Sequence, residues 1–133
     1  HARHGVVYHL NCHAMHAVSG AMGEGGAGQP RADMVLGDRD GTTCAPAFTA
    51  FVRDTLAARG YDVKVNDPFK GVELVRAYAN PAAGFHSLQL EVNKRLYMDQ
   101  GRLQIGEIDH DAELIEPVQQ QRQIDVAALR LHG

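Results

Sequence analysis

One stretch, Gly84 to Asp99 (GFHSLQLEVNKRLYMD), constrains this chain more than any other. In an extended segment successive side chains point to opposite faces. Ser87, Gln89, Glu91 and Asn93 therefore share one side, and Leu88, Leu90 and Val92 share the other. An interior strand of a parallel α/β sheet is normally apolar on both faces. A polar line that ends in a carboxylate needs partners, and α/β sheets place their ligands at the C-terminal ends of strands. A half-solvated strand is the ordinary alternative. The four-residue spacing of Leu88, Val92 and Leu96 also admits a helix. The reading adopted is a strand through Val92, then a helical turn from Asn93 to Met98.

Val6 to Asn11 (VVYHLN) repeats the pattern. Val6, Tyr8, Leu10 and Cys12 alternate with Val7, His9, Asn11 and His13, and the first set is expected to face the core. In both segments the most reactive residue, His13 or Glu91, sits at or just past the C-terminal end. If the strands run parallel, these ends share one edge. Adjacent strands lie about 4.8 Å apart, so the two side chains could then share a site.

The 133 residues suffice for one domain with a real core. Net charge is -3 and the basic residues are scattered, which excludes a nucleic-acid footprint. No apolar run is long enough to span a membrane. Two cysteines make no disulfide framework, so a reducing, cytoplasmic setting is expected. The chain opens at His1, only five residues before an apparent core strand, and the expectation is a fragment of a longer protein.

Between these strands, Ser19 to Gly28 is glycine-rich but lacks the phosphate-binding spacings. It reads as a surface loop, with a lid as the alternative. Met34 to Leu36 is a short strand, followed by a polar turn, Gly37 to Cys44. Pro46 opens a helix to about Arg59 that buries Phe48, Phe51, Val52 and Leu56, with Gly60 past its end. Arg39 beside that helix N-terminus makes a carboxylate pocket, or else pairs with Asp38 or Asp40. Tyr61 to Val65 is a strand. Val72 to Tyr78 is ambiguous and is read as a strand, and Asp111 to Leu131 as a late helix. This alternation implies an α/β fold with a mostly parallel or mixed sheet and flanking helices. An unpaired sheet edge would favour association between copies.

The chemistry follows from residue type. His13 is a candidate metal ligand or a hydrogen-bonded structural group. Glu91 is a candidate general base, or the partner of Lys94 or Arg95. Cys12 is read as a packed thiol.

Four segments together resemble the N-formylglutamate amidohydrolase family: LNCHAM (10–15), VLGDRDGTTC (35–44), the NDPFKG turn leading to VRAY, and HSLQLEVNKRLYMD (86–99). The similarity runs from about Gly5 to Asp99. Ala14 stands where the family usually has serine, and Lys94 where arginine is common. The resemblance implies zinc-dependent hydrolysis of N-formyl-L-glutamate to glutamate and formate, in histidine degradation, on a carboxypeptidase-like fold. It implies that His13 binds zinc and that Glu91 is the base acting on the metal-bound water. It also implies that Arg39, Arg76 and Asn11 hold the small N-acyl amino acid, the arginines through its carboxylates. Family members are longer, so the chain is expected to be a C-terminal portion with an incomplete metal site. The rival expectation is a non-catalytic binding or assembly domain.

Overall fold

The computed structural model describes residues 1–21 and 26–98. Strand β1 (Val7–Met15), strand β2 (Met34–Gly37), helix α1 (Pro46–Ala57), strand β3 (Val63–Val65), helix α2 (Glu73–Ala77) and strand β4 (Phe85–Asn93) follow in order. A 3-10 turn, Lys94–Leu96, ends β4. The expected late helix, 111–131, lies outside the described residues.

The strands form one mixed sheet in the order β1-β4-β2-β3. β1 runs parallel to β4 and β2 parallel to β3, while β2 and β4 are antiparallel. The organising strand is thus flanked on both sides. That position buries its polar line as well as its apolar one: Ser87, Gln89, Glu91 and Asn93 are at most 6% exposed.

Helix α1 covers the apolar face. Its Phe48, Val52 and Leu56 pack with Met34, Leu36, Leu88 and Leu90 of the sheet. The N-cap residue, Ala45, offers no side-chain cap; instead its N–H donates to His86 Nδ1 at 3.1 Å. A missing cap costs about 0.5–2 kcal/mol. Burying each large apolar side chain contributes about 1.5–3 kcal/mol, so the buried face decides that this segment is helical. The opposite face carries a smaller cluster of Met15, Ala32 and Val35, covered by Phe69 from the loop before α2.

Three expectations are corrected. Val72 to Tyr78 is not a strand. Its backbone closes locally, Val75 N to Val72 O and Tyr78 N to Leu74 O, and Glu73 pairs with Arg76 three residues on, a helical spacing. The described sheet ends at β3, and this segment joins no ladder. β1 continues through His13 to Met15 rather than stopping at Asn11. Its apolar set is also the open one: Tyr8 is 45% and Leu10 37% exposed, and Cys12 is exposed. Tyr8 reaches toward the helix, with its ring 4.8 Å from Phe48 and 5.1 Å from His86. Cys12 is therefore not packed, though the desolvation it experiences raises its thiol pKa and disfavours the thiolate.

The polar turn after β2 is organised by buried Asp38. Its Oδ1 accepts from Gly41 N at 2.8 Å and Asn66 Nδ2 at 2.7 Å, and its Oδ2 accepts from Thr49 Oγ1 at 2.8 Å. Burial by itself would raise this carboxyl, but the bonds from Asn66, Gly41 and Thr49 outweigh it and hold the pKa below its ordinary value. A depressed folded-state pKa gives stability that is present above the unfolded value and lost as pH falls through the folded one. Asp38→Asn is expected to destabilise the fold by about 1–3 kcal/mol at neutral pH. It should also flatten the acid limb of stability below the ordinary Asp range. Urea unfolding across pH 2–7 checks both; an unchanged acid limb would remove Asp38 from the linkage.

Candidate active site

The parallel register pairs His9 with Ser87, Asn11 with Gln89 and His13 with Glu91. Paired residues in a ladder share a face, so the two polar lines merge into one polar surface opposite α1. On it, His13 Nδ1 lies 3.7 Å from Glu91 Oε1, an exposed imidazole beside a sheltered carboxylate. Asn11 Nδ2 donates to His13 Nε2 at 3.1 Å. The contact sets the Asn11 amide against one ring nitrogen, while the other, Nδ1, faces Glu91. His9 stands further back, with Nδ1 2.8 Å from Ser87 Oγ.

Glu91 is held by a residue to which the sequence assigned no role. Gln89 Nε2 donates to Glu91 Oε1 at 2.6 Å, and Gln89 Oε1 accepts from Val72 N at 2.8 Å. The alternative partners of Glu91 are engaged elsewhere or not in contact: Arg95 pairs with Asp33 at 2.7 Å, and no bond joins Lys94 to Glu91. The signal for Gln89 was its place two residues before Glu91 on the same face. What it touches across the chain was not visible.

Neither candidate arginine bonds to this pair. Arg39 pairs with neither Asp38 nor Asp40: its Nη1 donates to Gly71 O at 3.0 Å and its own N to Lys70 O at 2.7 Å, while Asp40 is taken by Lys70. Arg76 is bonded to Glu73 on the exposed side of α2. The hydrogen bond from Arg76 holds the Glu73 carboxyl below its usual pKa, and the charge of Arg39 adds to this. An exposed carboxylate thus lies within the field of both candidate carboxylate-binding arginines.

Among the described residues no three His, Cys, Asp or Glu side chains converge on one point. A catalytic zinc takes three protein ligands and a water. His13 and Glu91 supply two donors, one short of that number. The described residues therefore do not make a zinc site by themselves.

What the arrangement offers is a carboxylate of defined orientation beside a titratable ring, on a face shared by two strands. Residues 1–98 match the family model for N-formylglutamate amidohydrolase. N-formylglutamate deformylase of Pseudomonas aeruginosa is 38% identical over 69 residues, which are 51% of this chain and 26% of that protein. The Pseudomonas putida protein of the same name is 35% identical over 69 residues, with the same coverage. A crystal structure of N-formylglutamate amidohydrolase from Ralstonia eutropha superposes with a TM-score of 0.68 at 43% identity, covering 75% of this chain and 36% of that one. The match thus spans about a quarter of the length of the curated relatives. With a family match over most of its length, ending at the C-terminal end of the segment that carries Glu91, the chain belongs to the N-formylglutamate amidohydrolase family.

Proposed function

We propose that this chain contributes the general-base strand of an enzyme that hydrolyses N-formyl-L-glutamate, or a similar N-acyl amino acid, to the free amino acid and formate. The relatives named for this reaction support the substrate class. The observation that carries the reading is the β1/β4 register, which sets sheltered Glu91 against His13 on one polar surface.

In this reading Glu91 removes a proton from water as the water oxygen attacks the formyl carbon. The tetrahedral adduct then collapses, the C–N bond breaks, and the same proton passes from Glu91 to the departing amine nitrogen. One water is consumed, and formate and the amine are released. Asn11 orients the His13 ring and faces the substrate. Arg39 and Arg76 take the substrate's carboxylates, with Arg76 exchanging Glu73 for one of them. Zinc is part of the proposal, with His13 as its candidate ligand and the completing donors not among the described residues. A cytoplasmic place in histidine degradation is proposed on the same grounds.

The two-donor site favours a second reading, in which the chain binds or assembles without catalysing. The deciding experiment is formate release from N-formyl-L-glutamate by the 133-residue chain, with added zinc and with a chelator. Zinc-dependent release supports the first reading. Absence of release under both conditions leaves the family reading intact and makes this chain an incomplete piece of the site.

A further inference from the structure

Gln89 is 1% exposed and spends both ends of its amide inside the protein. Its NH2 group can only donate and its carbonyl can only accept. The Val72 N–H needs an acceptor and the Glu91 carboxylate needs a donor, so one orientation of the amide serves both. The loop that holds Val72 is itself anchored. Lys70 O and Gly71 O receive the backbone N–H and the guanidinium of Arg39, and the loop backbone lies directly against Gly37. A continuous set of contacts therefore runs from Arg39 through Gly71, Val72 and Gln89 to Glu91 Oε1. Among the described residues the other oxygen of Glu91, Oε2, receives no hydrogen bond.

We infer that Gln89 is a positioning residue for the reaction. It clamps Oε1 of Glu91, leaves Oε2 as the basic oxygen, and makes the orientation of that carboxylate depend on the Arg39-held loop. Capture of a carboxylate by Arg39 would then be felt at Glu91 through Val72 and Gln89. The inference rests on the reading of Glu91 as the base and adds the group that aims it. A carboxylate misplaced by about 1 Å can cost about 100-fold in rate, so a single buried amide is enough to matter.

The test separates aiming from mere support. Gln89→Glu keeps an acceptor for the Val72 N–H but replaces the neutral amide donor with a carboxyl that can meet Glu91 Oε1 only by sharing a proton with it, which occupies the base. Gln89→Met has similar length and removes both bonds. In the full chain with zinc, Gln89→Glu is expected to keep Val72 amide-exchange protection within about threefold while kcat for formate release falls about 10- to 100-fold at nearly constant KM. Gln89→Met is expected to lose both, with Val72 exchanging about tenfold faster. Gln89→Glu turnover within twofold of the parent would overturn the inference, because a supporting role alone predicts that result.

A second arm does not need turnover. By NMR, Glu91→Ala is expected to speed exchange at the Gln89 side-chain amide and at the Val72 backbone amide together. Unchanged Val72 protection would mean that the two bonds are independent, and would equally overturn the inference. If the parent releases no formate, the activity reading fails on its own, and this arm alone decides the role of Gln89.

Discussion

Glu91→Gln is expected to lower formate release by about 10²- to 10⁴-fold, the range that a positioned general base supplies. The substitution keeps shape and removes only the capacity to take a proton. A glutamine carbonyl at this position can still accept from Gln89 Nε2, now 2.6 Å from Glu91 Oε1, so the buried polar line stays satisfied. Stability should change little, with Tm within about 2 °C of the parent, which separates loss of chemistry from loss of fold. KM should hold, because Glu91 is not among the groups proposed to bind the carboxylates of the substrate. The measurement is initial-rate formate release at saturating N-formyl-L-glutamate, alongside thermal unfolding of both proteins. Turnover within twofold of the parent would remove Glu91 from the reaction.

Gly37→Ala is expected to have the largest effect on stability. Gly37 closes β2 where the 70–71 backbone crosses it. A Cβ there would lie 2.6 Å from Gly71 N, 2.6 Å from Lys70 C and 2.9 Å from Lys70 O. These are main-chain atoms, so no side chain can rotate away. Overpacking costs about 1–3 kcal/mol where neighbours yield, and a backbone neighbour places this site at the upper end, about 3 kcal/mol. In a domain of this size each kcal/mol shifts Tm by about 4–8 °C, so a fall on the order of 10–20 °C is expected. The loop can relax only by moving off the sheet, and it carries Val72 N–H, which Gln89 accepts. Activity should therefore fall together with stability. Thermal unfolding is the check; a Tm within about 2 °C would mean that the loop does not bear on Gly37.

Much of the site was legible because it is built from one period. Alternation placed Ser87, Gln89, Glu91 and Asn93 on a common face, and the same alternation grouped His9, Asn11 and His13. The structure pairs these groups through parallel strands, as the shared-edge expectation required. Helix α1 was also legible, from Pro46 at its start and the four-residue spacing of Phe48, Val52 and Leu56. Segment 72–78 was misread because strand and helix propensities are close there. The choice was settled by whether a neighbouring strand was present to receive its hydrogen bonds.

The partners of individual polar groups were not legible. Arg39 had Asp38 and Asp40 on either side in sequence, yet it bonds to Gly71, because Asp38 turns inward to Thr49, Asn66 and Gly41. Glu91 had Lys94 and Arg95 nearby, yet it meets Gln89 and His13. The sequence by itself determined which residues share a face, since that depends only on the two-residue repeat of an extended backbone. It also determined the family, through motifs in order. Only the tertiary structure decided which face is covered, because that depends on where α1 and the 66–72 loop settle across the sheet. The same packing left the apolar side of β1 open and buried its neighbour's polar line, where each buried polar group must find a partner or lose its solvation.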